Sequence, residues 1–273
     1  MRASATEAEI ASYQENGFVV IEDLLTEDEL EAWRAGVDEA VEQRGRVAIP
    51  GFGEEPQQPE FSYYQKVFTQ RVNLWQTNDA MRVLILDERI GKLATELAGV
   101  DGMRIYHDQA LIKEPWGNPT AFHLDVPYWA FTSADAISIW VALDDSTLQN
   151  GALLFVPGSH KAERFDNVGI GPSLGDLFTV YPEWGQVMPV ACPIRAGSCT
   201  FHNGLTAHGA GANMTPGRRR AMTAGFMPEG STFNGSTSIY RPEQLVRMTV
   251  GDVLDDEEQT PLLYSRKAAA QRR

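Results

Sequence analysis

His123 and Asp125, one residue apart in the stretch 122–129 (FHLDVPYW), offer an imidazole and a carboxylate that can grip a single ion. In an extended strand alternate side chains point the same way, so the pair falls on one face and Leu124 turns to the other. A third ligand has to come from elsewhere, and the segment 202–208 (HNGLTAH) holds two candidates, His202 and His208. Two histidines and a carboxylate on one side of an ion, with its other positions open, is the arrangement of non-haem Fe(II) oxygenases. A His-x-Asp triplet alone is weak evidence, since a histidine near a carboxylate is more often a structural hydrogen bond than a ligand. Of the other histidines, His107 stands beside Asp108 and Gln109 and reads as a polar strand residue able to face a cavity. His160, after Pro157-Gly158-Ser159, reads as a turn brace.

The elements that must position these groups follow from the apolar periods. Residues 6–16 have helical spacing and stop at Gly17, and 18–21 (FVVI) reads as a short buried strand. Thr26 to Glu29 forms a capping box, followed by a stripe of Leu30, Trp33, Val37 and Val41 that ends at Gly45. Residues 79–98 read as helical again, with Asp87 as an internal N-cap and Gly99 as terminator. After Gly99 the period falls to about 2, through Met103, Ile105, Leu111, Ile112 and the run 136–143. Short strands then alternate with turn signals such as Gly117-Asn118-Pro119, Gln149-Asn150-Gly151 and Thr215-Pro216-Gly217. The pattern predicts a mainly β fold, a double-stranded β-helix or jelly roll of cupin type, with the early helices buttressing one sheet from outside. One domain is expected over 1–273, with a helical part over 1–100, a jelly-roll core over about 101–230 and a C-terminal extension over 231–273.

Composition narrows the class of partner. The chain has 43% hydrophobic and 22% charged residues, as soluble globular proteins do. Its formal net charge of −14 repels polyphosphate, so no nucleic-acid partner is expected, and no apolar run approaches the ~20 residues that cross a bilayer. A cytoplasmic monomer or homodimer acting on a small molecule is expected, with Cys192 and Cys199 as reduced structural thiols. Arg266, Lys267, Arg272 and Arg273 read as a solvated tail.

Several short motifs, in order, resemble the phytanoyl-CoA dioxygenase (PhyH) family of Fe(II)/2-oxoglutarate oxygenases. They are 13–21 (YQENGFVVI), 106–115 (YHDQALIKEP), 122–125 (FHLD), 139–144 (IWVALD), 150–160 (NGALLFVPGSH) and 208–219 (HGAGANMTPGRR). The resemblance runs from about residue 13 to about residue 230. It implies Fe(II), 2-oxoglutarate and O2 as metal, cosubstrate and oxidant, with His123, Asp125 and His208 as the ligands. His202 is then left as a packed or supporting histidine. Arg219, eleven positions after His208, is implied as the partner of the cosubstrate's distal carboxylate, which a guanidinium can fork. Strand parity places Arg219 with Ala221 and Thr223, and turns Arg218 and Arg220 to solvent. Lys113, Trp140 and Gln109 are carried over as cosubstrate-site residues. An aspartate in the triad favours hydroxylation, or desaturation or ring closure, over halogenation, which needs a small residue there.

Tyr128, Trp129, Phe131 and Trp116 crowd the first ligand pair and suit an apolar substrate site. Segments 46–60 and 161–187 lack a clear period, are rich in Gly, Pro and aromatics, and are expected to cover the site's mouth; Phe61 follows the first of them. The expected activity is oxidation of a small-molecule metabolite, in keeping with natural product biosynthesis. The alternatives are an acyl-CoA hydroxylase of phytanoyl-CoA type, a catalytically silent metal-binding jelly roll, or a non-oxidative metal enzyme such as an isomerase.

Overall fold

The computed structural model describes residues 1–55 and 63–271. The helices begin at side-chain caps, of which Thr26 and Asp87 are those expected from sequence. Thr6 and Thr26 close capping boxes with Glu9 and Glu29, starting α1 (Glu7–Asn16) and α2 (Glu27–Arg44). Asn78 and Asp87 cap α3 (Asp79–Ile85) and α4 (Glu88–Ala98), and Gly99 ends α4 in the left-handed conformation that glycine adopts at least cost.

The strands form two antiparallel sheets. The larger runs β1 (Phe18–Ile21), β8 (Cys199–Asn203), β5 (Ile137–Ala142), β10 (Arg219–Pro228), β3 (Gly102–Lys113) and β11 (Leu262–Ser265), with β2 (Thr69–Val72) also paired to β3. The smaller runs β4 (Thr120–His123), β9 (His208–Ala210), β6 (Leu153–Phe155) and β7 (Val190–Cys192). Apolar contacts hold the two face to face: Phe18 of the large sheet stacks on Phe155 of the small one with ring centroids 4.5 Å apart. This is the expected jelly roll.

The helices cover the outer face of the large sheet. Trp33, Leu93 and Leu97 are fully buried in one cluster with Ile105, Ile139, Phe201 and Met222. Burying each such aliphatic side chain contributes roughly 1.5–3 kcal/mol, which fixes the sheet's outer face and leaves its inner face for the site.

Segments outside the expected core also contribute strands. Residues 1–100 supply β1 and β2 as well as helices, and the extension supplies β11, paired with β3. The run 18–21 reads as a strand from sequence, whereas β2 and β11 carry too little period to be read locally, and their identity comes from the strand they pair with. A bulge in β3 is a second departure. Gly225 pairs with His107 but Phe226 with Ile105, so Tyr106 is extra. Met103 and Ile105 therefore pack toward the helices while Leu111 turns inward, which breaks the alternation expected across them.

Residues 46–55 are irregular, and the rest of the expected first loop, with Phe61, lies outside the described residues, as do Arg272 and Arg273. Segment 161–187 is irregular apart from short turns at Leu177–Val180 and Trp184–Gln186. It lies along β4: the Phe122 amide donates to the Leu174 carbonyl (3.1 Å), and Asn167 Nδ2 donates to the Leu124 carbonyl (3.1 Å). Among the described residues no helix is long and apolar enough to cross a membrane.

Candidate active site

A cavity of about 410 Å³ lies between the sheets and is lined by both. The small sheet brings two histidines together because His123 of β4 pairs directly with His208 of β9. Each ring is fixed from behind. His123 Nδ1 donates to the Ala121 carbonyl (2.9 Å) and His208 Nδ1 to the Thr206 carbonyl (3.0 Å). A carbonyl only accepts, so each proton sits on Nδ1 and each Nε2 lone pair is free for a metal. Asp125 Oδ1 lies 3.6 Å from His123 Nε2 and 3.7 Å from His208 Nε2. The ligand atoms of the three residues all lie within 4.8 Å of one another, the geometry of a single-ion site. Burial lowers the pKa of both imidazoles to about 4, which keeps them neutral. Burial opposes ionisation of Asp125, but His208, His202 and His123 outweigh it and hold the carboxyl well below its ordinary range.

The route by which Asp125 joins His123 differs from the expected one. β4 ends at His123, and Asp125 has helical backbone angles (φ −80°, ψ −53°) at the start of the 3-10 turn Val126–Tyr128. The Asp125 and Val126 amides both donate to the Gly204 carbonyl, at 2.9 and 3.1 Å. A turn pinned to the chain just after β8, rather than strand alternation, aims the carboxylate. Gly204 is needed there because a Cβ would come within 2.3 Å of Val126 Cγ2.

His202 and Ser138 stand beside the triad on the large sheet. His202 Nε2 is 3.2 Å from Asp125 Oδ2, and Ser138 Oγ donates to the same oxygen at 2.7 Å. Ser138 is not among the residues singled out from sequence. Its signal was there to find, as a lone hydroxyl in the apolar run 136–143. His107 lines the cavity, and His160 sits outside it in a turn, its Nε2 3.2 Å from the Gln14 carbonyl.

At the other end of the same inner face the parity argument is realised. Arg219 is 2% exposed and lines the cavity with Thr223. Among the described residues its Nε and Nη1 are buried without an acceptor, and its guanidinium carbon lies 4.9 Å from the Trp140 ring centroid. Burial lowers this guanidinium to about 10, so it stays charged at neutral pH. The expectation that both flanking arginines are solvated needs correcting: Arg218 reaches Asp38 at the surface, but Arg220 is mostly buried between Asp144 and Asp38, at 2.7 Å from each. Gln109 lines the cavity, accepts from Gln70 Nε2 and lies 3.1 Å from His107 Nε2.

Lys113 departs from its expected place. It pairs with Arg219 across β3 and β10, but it does not line the cavity; its ammonium donates to the Asn118 carbonyl. Gly151 (φ +96°) leaves room for its stem, since a Cβ there would come within 2.8 Å of Lys113 Cδ. Burial, reinforced by the like charge of Arg219, pulls this ammonium down to about 7. The unfolded chain keeps the amine protonated up to about 10.4, so between about 7 and 10 the unfolded state holds more protons and stability rises with pH. Lys113→Met is expected to flatten that rise in denaturant titrations from pH 7 to 10; an unchanged slope would assign the effect to another group.

Of the expected substrate residues, Tyr128 and Trp129 line the cavity. Phe131 and Trp116 do not. Phe131 is fully buried behind Trp129, with ring centroids 5.4 Å apart, and Trp116 is 69% exposed at a positive-φ position (+63°) after β3. Proximity in sequence does not carry around a turn. Tyr64, Phe68, Gln70, Ile170 and Ile239 complete the walls, and Ile49 and Ile170 come from the two expected mouth segments. Sequence reading did not single out Tyr64, Gln70 or Ile239, whose segments gave no periodic signal.

A jelly roll with a His-Asp-His set in its cavity, and a buried guanidinium on the same cavity wall that has two donors unpaired among the described residues, is the arrangement of the Fe(II)/2-oxoglutarate oxygenase class. Residues 13–221 match the family model of phytanoyl-CoA dioxygenase (PhyH), and the chain belongs to that family. Its enzyme class is accordingly Fe(II)/2-oxoglutarate-dependent dioxygenase. Among curated relatives, it is 27% identical over 152 residues to a probable alpha-ketoglutarate-dependent hypophosphite dioxygenase of Stutzerimonas stutzeri. That match covers 54% of this chain and about half (53%) of the relative. Among solved structures it is similar to the non-heme alpha ketoglutarate dependent carbocyclase SnoK from nogalamycin biosynthesis. Identity is 30%, coverage is 95% of this chain and 97% of that one, and the TM-score is 0.79. The epimerase SnoN in complex with Fe3+, alpha ketoglutarate and nogalamycin RO is 27% identical, with 94% and 98% covered and a TM-score of 0.73.

Proposed function

We propose that this chain couples the oxidative decarboxylation of 2-oxoglutarate to the hydroxylation of a small to mid-sized metabolite of secondary metabolism. Desaturation and ring closure are alternative outcomes at the same site. The observation that carries this reading is Arg219, a charged group buried with two N–H donors unpaired among the described residues, which is strongly unfavourable unless an anion completes it. Its place on the wall of the cavity that holds His123, Asp125 and His208 suits the distal carboxylate of a metal-chelating 2-oxo acid.

When bound, iron with 2-oxoglutarate and O2 supplies the oxidant, with succinate and CO2 as co-products. The chain's own residues do the rest. His123, Asp125 and His208 would hold the ion, Arg219, whose guanidinium lies over the Trp140 ring, would orient the cosubstrate, and Tyr128 and Trp129 would position the substrate. Segment 161–187 would help to keep water out, as it lies against β4 and brings Ile170 to the cavity.

A volume of about 410 Å³ suits a drug-sized molecule. The similar structures of SnoK, a carbocyclase, and SnoN, an epimerase, support outcomes beyond hydroxylation. An acyl-CoA substrate is disfavoured by the net charge of −14, which opposes docking of CoA phosphates. The test is succinate release with Fe(II), 2-oxoglutarate and O2 across a metabolite library, with products read by mass spectrometry. Substrate-dependent succinate with a product gaining one oxygen is expected for hydroxylation, and loss of two hydrogens for desaturation or ring closure. Failure to bind 2-oxoglutarate in the presence of Fe(II) would sink the reading.

A further inference from the structure

Among the described residues two donors converge on one oxygen of Asp125 and none on the other. Ser138 Oγ donates to Oδ2 at 2.7 Å and His202 Nε2 lies 3.2 Å from the same atom, while Oδ1 faces His123 Nε2 and His208 Nε2. The convergence is built into the large sheet: Ser138 of β5 and His202 of β8 are cross-strand partners, so their side chains stand together on its inner face. Because a carboxylate only accepts, the His202 proton must sit on Nε2. Its Nδ1 is then a bare acceptor, buried without a partner among the described residues. The other tautomer would turn a lone pair toward the carboxylate and leave an N–H unpaired, which is worse at both ends.

We infer that Ser138 and His202 are positioning residues that restrict Asp125 to a one-oxygen grip on the metal, with Oδ1 as the ligating atom and Oδ2 held back. The inference rests on His123, Asp125 and His208 being the ligands. Its consequence lies in the coordination sphere. A carboxylate free to turn can chelate through both oxygens and fill a position that cosubstrate or O2 requires, and the two donors prevent that rotation.

The test uses Co(II) alone as the probe on the full chain, following affinity by calorimetry and coordination by the visible d–d bands. The pair Ser138→Ala with His202→Phe is expected to weaken Co(II) binding by about 10–100-fold. It should also shift the bands, as Oδ2 joins the ion. Ser138→Thr with His202→Gln keeps both donors and should restore the wild-type spectrum. Should the first pair fail to fold, Ser138→Ala alone, which removes a single oxygen, is expected to move the bands in the same direction. Wild-type bands with an affinity within about twofold in the variants lacking a donor would overturn the inference. Wild-type protein that takes up no Co(II) would overturn the ligand assignment, and this inference with it.

Discussion

Alanine at His123, Asp125 or His208 is expected to abolish iron retention and turnover together. Under the proposed assignment each residue supplies one of three protein ligands, and among the described residues their ligand atoms all lie within 4.8 Å of one another, close enough for a single ion. Removing Asp125 has a further effect, because its charge is what balances the ion in a cavity where burial holds both imidazoles neutral. His202→Ala should behave differently. It removes a hydrogen bond to Oδ2 and not a ligand, so iron should be retained with an affinity lowered by about 10–100-fold. Metal content after gel filtration, paired with succinate release, separates the cases. If His202→Ala lost iron outright and His208→Ala kept it, the third ligand would be His202.

Arg219→Ala is expected to raise the apparent 2-oxoglutarate constant by about 30-fold or more. Truncating one partner of a desolvated charge pair costs about 2–5 kcal/mol, and each 1.4 kcal/mol is about tenfold in affinity. Arg218→Ala and Arg220→Ala should change it by less than about fivefold, because both side chains leave the cavity for Asp38 and Asp144. A second readout tells anion binding from packing. Without cosubstrate Arg219 is a buried cation with two donors unsatisfied among the described residues, so Arg219→Met should raise the melting temperature of the unliganded protein by a few degrees while losing the shift that 2-oxoglutarate gives. A lower melting temperature for Arg219→Met, with an unchanged 2-oxoglutarate constant, would make this arginine structural.

Some of this protein was legible in its sequence because the signal is local. The capping box at Thr26, and Gly99 after a helical stripe, act within a few residues and mark helix ends wherever they occur. The parity of β10, which separates Arg219 from its two neighbours, follows from the two-residue period of a strand and needs only the strand to exist. The motif order that resembles the family is likewise written along the chain. What the sequence could not determine depends on partners far away in it. His123 and Asp125 converge through a turn bonded to Gly204 rather than through strand alternation. A bulge at Tyr106 reverses which residues of β3 face inward, and it shows only against the β10 register. Trp116 and Phe131 are close to the ligands in sequence yet lie outside the cavity, while Gln70 and Ile239, distant in sequence, line it. Ser138 reads as one hydroxyl in an apolar strand until β8 and the Asp125 turn close over it. Local periods specify which way a side chain points from its own backbone; what it meets there is decided only when two sheets pack face to face.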